Sequence, residues 1–481
     1  MLPASSTPTG RPVNTAEPPI TIWSRITQDV FRHHLVALEK QTNAVPMDVL
    51  DAAAKAEAGG NNEMHIRSDL FPLLATEKQV ADDLAYIAAV TEGAQSVAAV
   101  CLEQHIGKST PDDATLVIRV AGMDVINEDV KAMLQTVVAE LQSHAQAEPT
   151  QREHDSTQTI FRAIIQQHEQ KLLGRLRSIK WVKPKHLART HKKALWQDFD
   201  NLLHRAQHVY PRKPERKIRQ EIETSIQEIR KMYEAFETSA EPAAQSLEKL
   251  VKATFTWCKS PLMADYASKL ESAGETRQVA AAVKVLRQLE KIGAYWRIAQ
   301  DLVAVAGRYN DVFQRIVFEY LTPYASVPTD IAYESWAHTC HVHAEIQLVV
   351  DLAKSVSKPE KPGSGVMRPR TIGTSKYLCY LCYLFLRYHG GFALLGTHGR
   401  LYDQWTIPDL AEYDAATRSK FATVIERMDG HVMQQIKETE AVVWRAEPMT
   451  SRQNLLLLPD AEQDADADDA LGVGVDKLAL S

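Results

Sequence analysis

The residues best suited to chemistry lie in the last third of the chain. His343 and Glu345 stand two apart, and Cys379 and Cys382 begin 34 residues after Glu345. One imidazole and two thiolates form a donor set that suits zinc. Cysteines at i and i+3 on a helix share a face, so both sulfurs can reach one ion. If both segments begin at the first turn of a helix, the positive helix ends favour thiolate and other anions. Three protein donors leave the fourth tetrahedral position to water, whose pKa falls toward neutrality on the metal. Glu345, not needed for coordination, can take that water's proton and return it to a ring nitrogen and a leaving amine. This is the hydrolytic deamination of a cytosine- or adenine-type base.

The two halves of the pattern differ in information. With 17 His and 61 acidic residues, about two His-x-acid pairs arise by chance. Five cysteines give only about 0.05 expected Cys-x-x-Cys pairs, so this half carries the signal. The competing reading is packing or a purely structural zinc: Tyr377 to Leu386 is apolar throughout, and free cysteine is among the most buried residue types. Cys340 and His341 are alternative donors close to His343. His398, in a Gly-Thr-His-Gly turn, either lines a substrate pocket or bonds its local backbone. Trp405 either stacks on a base or belongs to the core.

The elements that must hold these residues divide the chain near residue 310. Beyond it, strand-like segments (Arg370 to Gly373, Phe392 to Leu395, Val442 to Trp444) alternate with helices at Glu345 to Ala353, Cys379 to Tyr388 and Asp414 to about Glu438. Such alternation predicts an α/β domain over 311–447. Residues 21–310 read as a mostly α region. Asn127 is a good N-cap, and Val130, Leu134, Val137, Val138 and Leu141 follow at helical spacing. Phe161, Ile164, Ile165 and Leu172 repeat the pattern after Asp155. Further helices are expected around 79–104, 190–209, 215–238, 244–258 and 277–306. Thr115 to Val120 is the one segment there that reads as a strand.

Length and composition set the outer bounds. A chain of 481 residues is long enough for two or three domains. With 45 % hydrophobic and 24 % charged residues it is neither collagen-like, nor a disulfide-stapled mini-protein, nor wholly disordered. A net charge of −6 implies no partner by itself. Within 171–220, however, 15 Lys/Arg face three Asp/Glu, with Trp181, Trp196 and Tyr210 among them. Cations interleaved with aromatics attract nucleic acid; the plainer alternative is a solvated face, docked on an acidic surface of the same protein. Residues 1–20, rich in Pro, Ser and Thr, read as a disordered lead. Residues 448–481, carrying Asp460, Glu462, Asp464, Asp466, Asp468 and Asp469, read as an acidic disordered tail. The longest apolar run has ten residues, whereas a membrane span needs about 20, and no secretory signal is evident. The odd cysteine count favours a reducing compartment, cytoplasm or nucleus.

The stretches His343 to Leu348, Ser375 to Cys382 and Gly396 to Tyr402, with Trp405, resemble a fungal family of predicted nucleic-acid or nucleotide deaminases within the cytidine-deaminase-like superfamily. The likeness covers roughly 311–447. It implies a three-layer α/β/α domain with a mixed sheet, zinc on His343, Cys379 and Cys382, and Glu345 as proton shuttle. Leu378 stands where the deaminase signature has proline. Such domains usually place a β-hairpin before the His-x-Glu helix, and 311–342 shows no clear alternation to supply it.

Two functions follow as expectations. The first is a zinc-dependent hydrolytic deaminase acting on a nucleobase, free, as a nucleotide or in nucleic acid, with contact through 171–220 where the substrate is a polymer. The second is a helical interaction scaffold carrying a zinc-stabilised, catalytically inactive deaminase-like domain.

Overall fold

Two long strands before residue 123 organise the molecule: β1 (Ala98–Ile106) and β2 (Thr115–Gly122) pair antiparallel with Cys101 opposite Arg119. A computed structural model describes residues 21–46, 49, 74–91, 93, 96–106, 114–147, 153–185, 189, 192–274, 276–356, 365–394, 396–439 and 455–456. Before β1 come α1 (Gln28–Thr42) and α2 (Leu74–Ala88). After β2 the chain runs through α3 (Glu128–Ala145), α4 (Glu153–Leu176), α5 (Phe199–Val209), α6 (Arg216–Thr238), α7 (Ala243–Lys259), α8 (Pro261–Glu271), α9 (Arg277–Arg308) and the single turn α10 (Asn310–Phe313). Next come β3 (Ile316–Tyr320), the short pair β4 (Val327–Pro328) and β5 (Thr339–Cys340), α11 (Ala344–Val356), β6 (Gly365–Met367), β7 (Gly373–Thr374), α12 (Tyr380–His389) and α13 (Ala415–Glu438).

The main sheet is mixed, in the order β3-β2-β1-β6, with β7 pairing further along β1. β3 runs parallel to β2, and β6 and β7 run antiparallel to β1. A strand turns alternate side chains to opposite faces, and here both faces are covered. Ala98, Val100, Leu102, Leu116, Ile118 and Val120 belong to a core shared with the helices α2 to α9. Ala99, Cys101 and Ala121 belong to a second core with α1, α11, α12 and α13. The sheet is thus the middle layer of an α/β/α arrangement, with the larger helical region on one face and the C-terminal helices on the other.

The helices follow the sequence closely. Asn127 caps α3 through its side chain, and Asp414 caps α13, whose Phe421, Ile425, Met428 and Val432 are buried. Within 311–342 only the two-residue antiparallel pair β4–β5 forms before α11, and the long hairpin of the main sheet comes from 98–122, with the helices α3 to α10 placed between it and β3. The division drawn at residue 310 therefore crosses the sheet, since β2 and β3 are hydrogen-bonded neighbours. Residues 98–104, read as the end of a helix, are strand. Their apolar run is buried on both sides, a pattern that does not separate a buried strand from a buried helix. The expected helix over 190–209 starts at Phe199, after a 3₁₀ turn at Leu195–Asp198. No strand forms over 392–394, where the Ala393 amide instead bonds the Arg370 carbonyl at 2.8 Å. The lead of 1–20, the segment Val442 to Trp444 and, apart from Leu455 and Leu456, the tail of 448–481 lie outside the described residues. Among the described residues no helix is long and apolar enough to cross a membrane.

Candidate metal centre and its cleft

His343 directly precedes α11 and Cys379 directly precedes α12, so both stand at the positive end of a helix. Two bonds from Gln347 hold the first of these ends: its side-chain amide donates to the Gly122 carbonyl at 2.8 Å and to the Val342 carbonyl at 3.0 Å. The start of α11 is thereby tied to the end of β2. The second end is reached through the segment 370–378, which is fastened at each step. Glu77 on α2 accepts from the Arg370 amide at 2.8 Å and its guanidinium at 2.7 Å, and Asp82 accepts from the Thr374 amide at 2.9 Å. Ser375 exchanges bonds with Ala98. β7 lies so close to α2 that a Cβ on Gly373 would sit 2.1 Å from the Ala81 carbonyl carbon. The Cys379 sulfur accepts from the Cys382 amide at 3.4 Å, which turns both thiols to the same side.

The consequence is a convergence. His343 Nδ1 lies 3.5 Å from Cys379 Sγ and 3.4 Å from Cys382 Sγ, and the three donor atoms all fall within 4.8 Å of one another. Tetrahedral zinc with its usual bond lengths sets its N and S donors about 3.6 Å apart, so this donor set fits the ion in both type and spacing. The Glu345 carboxylate stands 3.7 Å from Cys382 Sγ, beside the three donors. Cys379, Cys382 and Glu345 are buried, while His343 is partly accessible.

Electrostatics separates the members of this group. Burial alone would push the Cys379 thiol up, but hydrogen bonds from Cys382 and the His343 charge outweigh it and hold the thiol well below its ordinary range. Burial and the neighbouring Cys379 push Cys382 well up. Burial also raises Glu345, against the opposing pull of His343. For His343, burial works downward, but Cys379 and Glu345 overcome it and the net direction is up. Four clustered titratable groups, three of them buried, driven in opposite directions are a feature of functional sites.

The cluster forms the floor of a cleft of about 690 Å³ that His343, Glu345 and Cys379 line, well inside the size range of small-molecule sites. His398 lines it too. The loop that carries His398 is locked to the Cys379 turn: the His398 amide bonds the Leu378 carbonyl at 3.1 Å, and the Tyr380 amide bonds the Arg400 carbonyl at 2.9 Å. Gly399, at φ 68°, supplies the left-handed turn this loop requires. His398 Nδ1 accepts the Arg400 backbone N–H at 3.1 Å, so the ring proton resides on Nε2. Burial, with a smaller contribution from Arg400 and Lys376, lowers the His398 pKa to about 4. Both sequence readings of His398 therefore hold together, since it bonds the backbone with one nitrogen and lines the cleft.

The other sequence candidates are placed differently. His341 lines the cleft but stands outside the three-donor group, and Cys340 is buried against Arg32. Trp405, 1 % exposed, packs between Phe31 and Phe385 and is a core residue, not a stacking platform. Other cleft residues had no role assigned from the sequence. Lys376, Arg400 and Tyr402 lie in the Ser375 to Cys382 and Gly396 to Tyr402 stretches already singled out; Lys376 donates to the Gly93 carbonyl at 2.8 Å, and the Arg400 guanidinium sits 5.3 Å over the Tyr402 ring. Trp336, 72 % exposed at the rim, carried no pattern that marked it.

Residues 342–409, 68 of the 481, match the family model described as OTT_1508_deam:-like deaminase, a narrower stretch than the expected 311–447. No curated protein and no solved structure matches the chain. The C-terminal region that brings His343, Cys379 and Cys382 together beside Glu345 is deaminase-like.

Proposed function

We propose that this cleft is the active site of a zinc-dependent hydrolytic deaminase acting on a cytosine- or adenine-type base carried on a phosphate-bearing substrate. The observation that supports it best is the meeting of His343 Nδ1 and the two cysteine sulfurs next to the Glu345 carboxylate, at the bottom of a cleft. Zinc on these donors would supply Lewis acidity, lowering the pKa of a water toward neutrality. The chain's own residues account for the rest. Glu345, made a stronger base by burial, takes a proton from the attacking water and delivers it to the ring nitrogen. It then carries the second proton, from the new hydroxyl of the tetrahedral adduct, to the amine, which leaves as ammonia while the carbonyl forms. His398 offers its Nε2–H to an oxygen of the substrate.

The cleft's charge favours an anion. Glu345 is the one carboxylate among its described lining residues, against the cations Lys376 and Arg400. Charge-assisted contacts from such side chains are the usual means of holding phosphate. The test is ammonia release from cytidine, adenosine, their monophosphates and single-stranded DNA or RNA, with zinc counted per chain. One zinc and turnover of a phosphate-bearing base are expected. A folded chain that takes up no zinc would end this reading, whereas zinc without turnover of any base would favour the inactive scaffold.

A further inference from the structure

The helical region bears a second cation-rich surface, apart from the cleft, on the turn that leads into α6. Arg212, Lys213, Arg216, Lys217 and Arg219 fall within eight residues, and all but Arg219 are exposed. Among the described residues Lys213 and Arg216 enter no salt bridge, and Lys217 has only Glu221 at 3.9 Å, with side chains 88 % and 50 % exposed. Arg219 bonds the Tyr210 carbonyl, and Glu215 is engaged by the Arg212 amide.

We propose that the acidic segment 460–469 of this same chain docks on that basic surface. The segment holds Asp460, Glu462, Asp464, Asp466, Asp468 and Asp469 and no Lys or Arg. Its starting point is fixed in the right place. Leu455 and Leu456 are 5 % and 7 % exposed, packed into the helical core, and Lys259 Nζ donates to the Leu456 carbonyl at 3.2 Å. Leu456 shares a cavity wall with Trp257, and the Trp257 indole donates to the Ser225 carbonyl of α6 at 3.1 Å. The anchor of the acidic segment thus faces the same cavity as the Trp257 side chain that is bonded to the helix whose first turn is basic.

The lengths agree. From Ser225 back to Arg219 is about 9 Å along the helix, and back to Lys213 about 18 Å. Four residues from Leu456 to Asp460 span up to about 13 Å, and the thirteen to Asp469 up to about 43 Å. The distal acids of the segment therefore have the contour length to span the turn without leaving their anchor. A short tether of this kind gives an effective concentration on the order of 1 mM. Any electrostatic affinity tighter than that concentration keeps the surface occupied more than half of the time.

The test uses the full chain in two arms. In the first, a water-soluble carbodiimide links carboxylates to amines in direct contact, and the products are mapped by mass spectrometry at 50 and 500 mM salt. Links from 460–469 to Lys213 or Lys217 within the monomer, lost at the higher salt, are expected. Their absence overturns the proposal, and links confined to a dimer overturn docking within one chain by assigning the surface to a second copy. In the second arm, a variant with the six acids changed to Asn or Gln is compared with the parent for acetylation of single lysines by an N-hydroxysuccinimide ester, Lys249 serving as reference. Lys213 and Lys217 should react at least about twofold faster in the variant, since in the parent they are covered more than half of the time. Equal rates would show that nothing covers them. Neither arm depends on zinc or turnover, so the result is separate from the fate of the deaminase reading.

Discussion

The two faces of the central sheet bury ionisable groups in contrasting ways. On the helical face Arg297 and Asp83 form a two-bond pair, at 3.0 and 2.5 Å, and Asp301 joins them. His168 nearby has both ring nitrogens engaged, by the Ile87 carbonyl at 2.8 Å and the Tyr295 hydroxyl at 3.1 Å. The charges of this cluster are closed by partners of the same region. On the C-terminal face His343, Cys379, Cys382 and Glu345 are gathered just as tightly, but their donor atoms point at one another across a shared space that opens to a cleft. Burying polar groups costs free energy unless they are paired. The first arrangement meets that cost with protein partners; under the proposed function, the second would meet it with an ion and a substrate. The contrast separates structural burial from functional burial within a single sheet.

The contrast can be broken from either side. The largest effect is expected from Cys379→Ser, which removes one soft donor and the hydrogen bond that aligns the other. This variant should lose bound zinc altogether by elemental analysis while keeping the helical region's circular dichroism; retained zinc would remove Cys379 from the donor set. Next is Arg297→Ala, which strands two buried carboxylates. A loss of about 3–5 kcal/mol in urea unfolding is expected, and a loss below 1 kcal/mol would mean that the helical face does not depend on this closed cluster. Gly373→Ala is smaller, about 1–3 kcal/mol, because β7 must move away from the Ala81 backbone. Since β7 leads into the Cys379 turn, thermal stability and zinc affinity should fall together.

The smallest effect concerns pH. Glu39 on α1 is buried and faces Asp403, and burial, then the Asp403 charge, raises its pKa to about 8, despite help from the Asp403 amide and Arg400. The folded chain therefore holds this proton more tightly than the unfolded chain does. The stabilisation is complete below the ordinary glutamate pKa of 4.5 and is lost as pH rises through about 8. The urea midpoint of the parent should fall between pH 5 and 9, and Glu39→Gln should flatten that fall. An unchanged slope would place the titration elsewhere.

How far the sequence carried these conclusions depended on the range over which each signal acts. Caps and stripes are local, so Asn127 and Asp414 marked true helix starts, and the spacing of Phe421 to Val432 marked the buried face of α13. The candidate donors His343, Cys379 and Cys382 could be picked out because Cys-x-x-Cys is rare and compact. The sheet was not, because β1 and its partners are distant in sequence. β1 pairs with β7 more than 250 residues later, and its apolar run is buried on both faces, which removes the alternation that identifies a strand. The cleft's walls were hidden for the same reason. Lys376 meets Gly93, and Trp336 joins the rim, only once the strands have brought those segments together.

The central claim is that Glu345 moves protons beside an ion it does not hold. Zinc content and ammonia release measured on one preparation of Glu345→Gln test it most directly. The account predicts one zinc per chain, as in the parent, with turnover reduced by about 10²- to 10⁴-fold. Turnover at the parental rate, or loss of the zinc along with it, would contradict that claim.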